Sequence, residues 1–141
     1  MSLYLDASVV VATLVEEAAS AEVADYIRSA REPLVIGDFT TAELASAISR
    51  LVRTGHLTEQ AATKRLGEFD TWRAAKTDDL DLRSVDVRLA NSFVRRFDLG
   101  LRAPDALHVA TCRRADHTLV TLDRRLAAAA DALGVRVECP A

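Results

Sequence analysis

Leu3-Tyr4-Leu5-Asp6-Ala7-Ser8 stands at the start of this chain, and Val9-Val10-Val11-Ala12-Thr13-Leu14 follows it without a linker. Three residues with apolar bodies close on an acid. Val9, Val10, Ala12, Thr13 and Leu14 then carry a helical pattern. The pair reads as a short buried strand, about Leu3 to Leu5, feeding straight into a helix. A carboxylate at the exit of a buried strand is costly unless it is paired, hydrogen-bonded or bound to a cation. Asp6 therefore marks the end of the strand and also a place where chemistry can be sought.

The same alternation continues along the chain. A second helix from about Ser20 carries Val23, Ala24, Ile27 and Ala30, Glu32-Pro33 breaks it, and Leu34-Val35-Ile36 reads as a buried strand. A helix from about Phe39 to Thr54 places Leu44, Ile48 and Leu51 on one face, with Gly55 as its stop. Thr58 opens another, with Ala62, Leu66, Phe69 and Trp72 facing inward. Leu80 and Leu82 alternate as a third strand, and Val87, Ala90, Val94 and Phe97 predict one face of the next helix. Gly100 to Ala103 is a loop, and Pro104 suits the first turn of a helix running to about Arg114. Leu119 to Thr121 is a fourth strand, Arg124 to Leu133 a helix ended by Gly134, and Val135 to Val137 a fifth strand. Five short strands separated by helices predict an α/β fold: a three-layer α/β/α sandwich around a mainly parallel five-stranded sheet, residues 1–141 forming one domain.

Composition narrows the class. With 141 residues, half of them apolar, the chain has enough material for one core. No apolar run is long enough to span a bilayer. Asp6 arrives before any apolar leader segment can form, so no signal peptide is expected. Cys112 and Cys139 lack metal-type spacing and read as free, reduced thiols of a cytoplasmic protein. The formal net charge of −3 disfavours a polyanionic partner. Its positive charge, however, is nearly all arginine, set in pairs such as Arg50 and Arg53, Arg95 and Arg96, and Arg124 and Arg125. Arginine forks suit phosphate, although a solvated helix face explains any single pair equally well.

Four acids stand where apolar segments end or helices begin: Asp6, Glu43, Asp105 and Asp123. Each has an ordinary explanation. Asp6 and Asp123 are suited to N-caps, Thr40-Thr41-Ala42-Glu43 matches a capping box, and Asp105 gains from a helix dipole. Together they suggest more. In open parallel sheets, sites form outside the carboxyl ends of the strands. Carboxylates gathered there without a basic residue would raise one another's pKa. A hard divalent cation such as Mg²⁺ removes that conflict and can activate water against a phosphodiester. Ser8 and Thr121 are placed to orient a carboxylate, and Arg102 to meet a substrate phosphate. His108 lies one turn from Asp105 on the same helix side, while His56 and His117 lie elsewhere.

Leu5-Asp6-Ala7-Ser8, Thr41-Ala42-Glu43-Leu44, Leu101-Arg102-Ala103-Pro104-Asp105-Ala106-Leu107-His108 and Val120-Thr121-Leu122-Asp123-Arg124-Arg125-Leu126 occur in this order. In motif order, spacing and length, essentially the whole chain resembles the PIN-domain ribonucleases, specifically the VapC-type toxins of bacterial toxin–antitoxin modules. The resemblance implies that Asp6, Glu43, Asp105 and Asp123 are metal-binding, catalytic acids. It implies endonucleolytic RNA cleavage dependent on Mg²⁺, with Mn²⁺ able to substitute, a small cognate antitoxin as partner, and a homodimer. Splayed, single-stranded or loop RNA is the expected target. The alternative is a PIN-like RNA-binding or scaffold module without catalysis. A haloacid dehalogenase-type phosphatase needs a second Asp two residues after the first, where this chain has Ser8. A receiver domain needs a late lysine, and none follows Lys76. A dinucleotide-binding fold needs a Gly-rich turn after the first strand, which is missing.

Overall fold

A computed structural model describes residues 1–141. Five strands and seven α-helices alternate. They are β1 (Leu3–Leu5), α1 (Ala7–Leu14), α2 (Ser20–Ser29), β2 (Leu34–Gly37), α3 (Asp38–Arg53) and α4 (Glu59–Lys76). Then follow β3 (Asp78–Leu80), α5 (Ser84–Val94), a 3-10 turn (Phe97–Leu99), α6 (Ala103–Ala115), β4 (Thr118–Val120), α7 (Arg124–Ala132) and β5 (Val137–Glu138). The sheet order is β3-β2-β1-β4-β5 and every pairing is parallel, so the expected α/β sandwich is present with a wholly parallel sheet. No helix is long and apolar enough to cross a membrane.

Side-chain alternation along the strands builds the layers. Leu3 and Leu5 of β1, Ile36 of β2 and Val120 of β4 share a core with Val9, Val10, Val23, Leu44, Ile48 and Phe69 of α1 to α4. Tyr4, Val35 and Leu119 point the other way, into a core with Phe93, Val109, Leu126 and Ala130 of α5 to α7. A period of two is what a pleated strand imposes. With helices on both faces, the central strands β1 and β4 are buried at every residue, Leu3-Tyr4-Leu5 and Thr118-Leu119-Val120.

The helix boundaries follow their punctuation. Thr58 caps α4 by accepting from the Ala61 backbone N–H at 3.1 Å. Gly55 and Gly134, the expected stops, adopt φ of +78° and +80°, a region that favours glycine.

Three expectations need correction. The third strand is Asp78–Leu80, two residues earlier than Leu80 and Leu82 suggested. Two exposed aspartates pair by backbone with β2, and Arg73 reaches Asp79 at 3.1 Å and Asp38 at 3.4 Å. Val87 and Phe97 are 50% and 88% exposed, so the buried face of α5 is only partly the one expected. Ala90 is buried and Val94 partly buried as expected, but Asp86 and Phe93 take the inward places of Val87 and Phe97, because Arg114 grips the fully buried Asp86 at 2.6 Å and 3.0 Å. The last strand is Val137–Glu138, with Val135 buried just ahead of it rather than within it.

Strand order places the chemistry. The chain moves outward from β1 through β2 to β3, then returns to the other side of β1 for β4 and β5. The order therefore reverses between β1 and β4. Their carboxyl ends open a crevice of the kind that holds ligands in open α/β sheets.

Candidate active site

Asp6 follows β1 and enters the crevice from its floor. It is buried, at 4% exposure, yet well supplied with donors. Its Oδ1 accepts from Ser8 Oγ at 2.6 Å and from the Val9 N–H at 3.2 Å, and its Oδ2 from Thr121 Oγ1 at 2.5 Å. Asp6 is thus the N-cap of α1, as the cap explanation requires. A cap needs one backbone donor, however, and here two hydroxyls are added. Burial pushes the Asp6 carboxyl above the ordinary carboxylate range, and the bonds from Ser8 and Thr121 pull it back.

Ser8 and Thr121 bind the two strand ends together. Ser8 Oγ donates to Asp6 and accepts from the Leu122 N–H at 2.9 Å, while Thr121 Oγ1 donates to Asp6 and accepts from the Asp123 N–H at 3.0 Å. The backbone N–H of Asp6 also donates to the Val120 carbonyl at 3.1 Å. The rotamer of Asp6 is fixed by three neighbours, two in the first turn of α1 and one just past β4.

Asp123 is exposed and caps α7, its Oδ1 accepting from the Arg125 and Leu126 N–H groups at 2.9 Å and 3.1 Å. Its Oδ2 has no hydrogen-bond partner. Asp105, in the first turn of α6, is half-buried and has no hydrogen-bond partner on either oxygen. Burial, and next the Asp123 charge, push its carboxyl up; Glu43 and Asp6 add to the effect, and His108 opposes it. All three other acids therefore act electrostatically on Asp105. Arg102, at the N-cap of α6, is exposed and forms no ion pair.

Glu43 loses its ordinary explanation. Helix α3 begins at Asp38 with Gly37 as its N-cap, so Glu43 lies in the second turn and no capping box exists. Thr40 is buried inside the helix, and its hydroxyl meets Tyr4 Oη at 3.2 Å. Glu43 Oε1 instead accepts a short hydrogen bond from His108 Nε2, while His108 Nδ1 stands 2.7 Å from Tyr4 Oη. Burial pushes the Tyr4 phenol well above its ordinary range, so it keeps its proton. Tyr4 and Thr40 were not singled out in the sequence. The available signal was a tyrosine in a wholly buried strand, whose hydroxyl must find a partner.

The donor set is all oxygen, and it suits a hard cation better than zinc. No three acidic, imidazole or thiol groups stand close enough to hold one ion between them directly. An ion such as Mg²⁺, which binds through one or two carboxylates and keeps several waters, would not need such a cluster. Asp105 has no hydrogen-bond donor and is raised by burial and then by its neighbours, so a cation there would relieve it. Cys112 is buried with its thiol pushed up by burial, and Cys139 is exposed; both are free, and neither belongs to this group.

A wholly parallel sheet with helices on both faces and acids at the carboxyl ends of β1 and β4 defines an α/β fold with an acidic crevice at its switch point. The PIN domain family model matches residues 3–132, and this chain belongs to the PIN domain family. Over 142 aligned residues it is 31% identical to ribonuclease VapC46 of Mycobacterium tuberculosis, covering 99% of this chain and 98% of that protein. Its fold resembles the crystal structure of VapC20 of the same organism, a toxin that cleaves the sarcin-ricin loop. The TM-score there is 0.73 at 16% identity, over 90% of this chain and 94% of the other. It also resembles a chain of a toxin–antitoxin complex from Klebsiella pneumoniae, with a TM-score of 0.70 at 13% identity over 100% and 98% of the two chains.

Proposed function

We propose that this protein is a divalent-metal-dependent endoribonuclease, the toxin of a toxin–antitoxin pair, which hydrolyses RNA phosphodiester bonds at the crevice between β1 and β4. The observation that carries this reading is Asp105. It is a half-buried carboxylate without a hydrogen bond, raised by burial and then by Asp123, Glu43 and Asp6, at the switch point of a PIN-family chain. The ribonuclease name of a relative aligned along nearly its full length supports the reaction class.

Among Asp6, Glu43, Asp105 and Asp123, one or two carboxylates would hold Mg²⁺ or Mn²⁺ directly and the others would act on it through water. When bound, the ion supplies Lewis acidity toward a phosphoryl oxygen and activates water for attack. The chain's own contribution is orientation. Ser8 and Thr121 fix the Asp6 carboxylate, and the first turn of α6 carries Asp105 three residues after the exposed Arg102. The Arg102 guanidinium is free to contact an RNA phosphate. The occurrence of a similar fold in a toxin–antitoxin complex supports a small antitoxin as cognate partner. A homodimer and a cytoplasmic setting complete the proposal.

The test is incubation of the purified chain with total RNA and with tRNA, in Mn²⁺, Mg²⁺ or EDTA, beside Asp6→Asn. Cleavage that requires the metal and vanishes in the variant is expected. Equal cleavage by both proteins would show a contaminating nuclease. Absence of cleavage together with metal-independent RNA binding would identify a scaffold module.

A further inference from the structure

We propose that His108, Tyr4 and Thr40 form a positioning clamp for Glu43, closed around the missing side chain of Gly37. The proposal rests on the reading of Glu43 as one of the site's acids, and it assigns three further residues to that site.

The clamp is a closed path through three elements. His108 lies on α6, one turn beyond Asp105, and is almost completely buried. Its ring is enclosed by Tyr4 and Phe39, with centroid separations of 5.7 Å and 5.4 Å. A buried imidazole must satisfy both nitrogens. Nε2 meets Glu43 Oε1, and an ionised carboxylate only accepts, so Nε2 carries a proton. On the opposite side, Nδ1 meets the Tyr4 hydroxyl at 2.7 Å, and that hydroxyl meets Thr40 Oγ1 at 3.2 Å. With the ring proton on Nε2, Tyr4 donates to Nδ1 and Thr40 donates to Tyr4. The path begins and ends on α3, three residues apart, after crossing β1 and α6.

Gly37 explains how so large a phenol fits there. A Cβ at this position would stand 3.0 Å from Tyr4 Oη and 3.1 Å from its ring. Its φ of −76° is open to any residue, so the need for glycine is one of space. The strand that carries Val35 and Ile36 into the core ends in a residue that gives the tyrosine its place.

A histidine that merely filled the core could satisfy Nε2 on any buried acceptor. Here the imidazole's outward nitrogen ends on Glu43, whose side chain is 29% exposed and whose Oε2 has no partner. The clamp therefore holds one carboxylate oxygen and leaves the other free beside the crevice. Outer hydrogen bonds of this kind set the direction of carboxylates that bind metals.

Two measurements test the clamp. The first is the ¹⁵N spectrum of the His108 ring in the metal-free protein, with Glu43→Ala for comparison. The clamp requires a proton on Nε2, protected from exchange, whose signal moves when Glu43 is removed. A proton on Nδ1 alone, or an Nε2 signal indifferent to Glu43, overturns it. The second is Mn²⁺ titration of the wild type, His108→Leu, His108→Gln and Tyr4→Phe, each checked for folding by its melting curve. His108→Leu should weaken Mn²⁺ binding by roughly 10–100-fold. His108→Gln, which returns an amide donor near the Nε2 position, should recover most of that loss. Tyr4→Phe removes one oxygen and keeps the ring, so it reports on the clamp even if the leucine variant fails to fold. It should fall between the two. Wild-type affinity in both Tyr4→Phe and a folded His108→Leu overturns the clamp. If the wild type itself binds no Mn²⁺, the proposed function fails, and the ring spectrum still decides the clamp.

Discussion

Asp6 and Asp105 meet at the same crevice and are supported in opposite ways. Asp6, on the strand side, is buried beneath Ser8, Thr121 and the Val9 N–H, so that three donors offset part of the cost of its charge. Asp105, on the helix side, is more exposed and has no donor at all, while burial and then three neighbouring acids raise its pKa. The strand-side acid is built into the fold. The helix-side acid is tolerated by it. The difference teaches where stability and function part: removing Asp6 breaks a structural joint as well as a site, whereas removing Asp105 relieves a repulsion.

The largest effect expected from this contrast is at Asp6. Replacing it by Ala removes the α1 cap and strands two hydroxyls that now point at a carboxylate. We expect a loss of about 2 kcal/mol, read from the urea midpoint of the metal-free protein. A loss as small as that of an exposed alanine substitution would mean that the network carries no weight. Thr121→Val is a smaller perturbation. It keeps the shape of the side chain and deletes the hydroxyl linking Asp6 to the Asp123 N–H, at a cost of about 1 kcal/mol. Cleavage should fall by roughly 10-fold as Asp6 loses its orientation. An unchanged rate with lowered stability would assign Thr121 to the fold alone.

The smallest effect is read by pH at Asp105. The Asp105 carboxyl titrates above its unfolded value of ~3.9, so the folded protein holds that proton more tightly than the unfolded chain. Its contribution is fully present below the unfolded value and is lost as pH rises through the raised folded value. In EDTA, stability should therefore decline across that acid window, and Asp105→Asn should flatten the decline. A slope unchanged by the substitution would show that the neighbouring charges do not reach Asp105.

The same contrast explains what the sequence could reveal. Strands rich in apolar residues, as in β1 and β4, announce themselves, and so do acids at their exits. The sheet edge was therefore legible, with Ser8 and Thr121 close to Asp6. Elements whose inward faces are polar hide their phase. Helix α5 turns Asp86 inward to Arg114, which no hydrophobic pattern predicts, and β3 opens with two exposed aspartates held by backbone pairing and Arg73. Glu43 was obscured for a related reason. Thr40 followed by Glu43 imitates a helix start, whereas α3 had already begun at Asp38 and Thr40 was needed by Tyr4. The partners of Glu43 lie far away in sequence, on β1 and α6, and only the fold brings them together.

The central claim is that these acids share a cation, and it is tested most directly by melting the wild type and Asp105→Asn in EDTA and in Mn²⁺. A ligand stabilises only the state that binds it. The account predicts that Mn²⁺ raises the wild-type melting temperature, whereas Asp105→Asn starts no lower in EDTA and responds little to the metal. An equal Mn²⁺ response in both proteins, or none in the wild type, would contradict it.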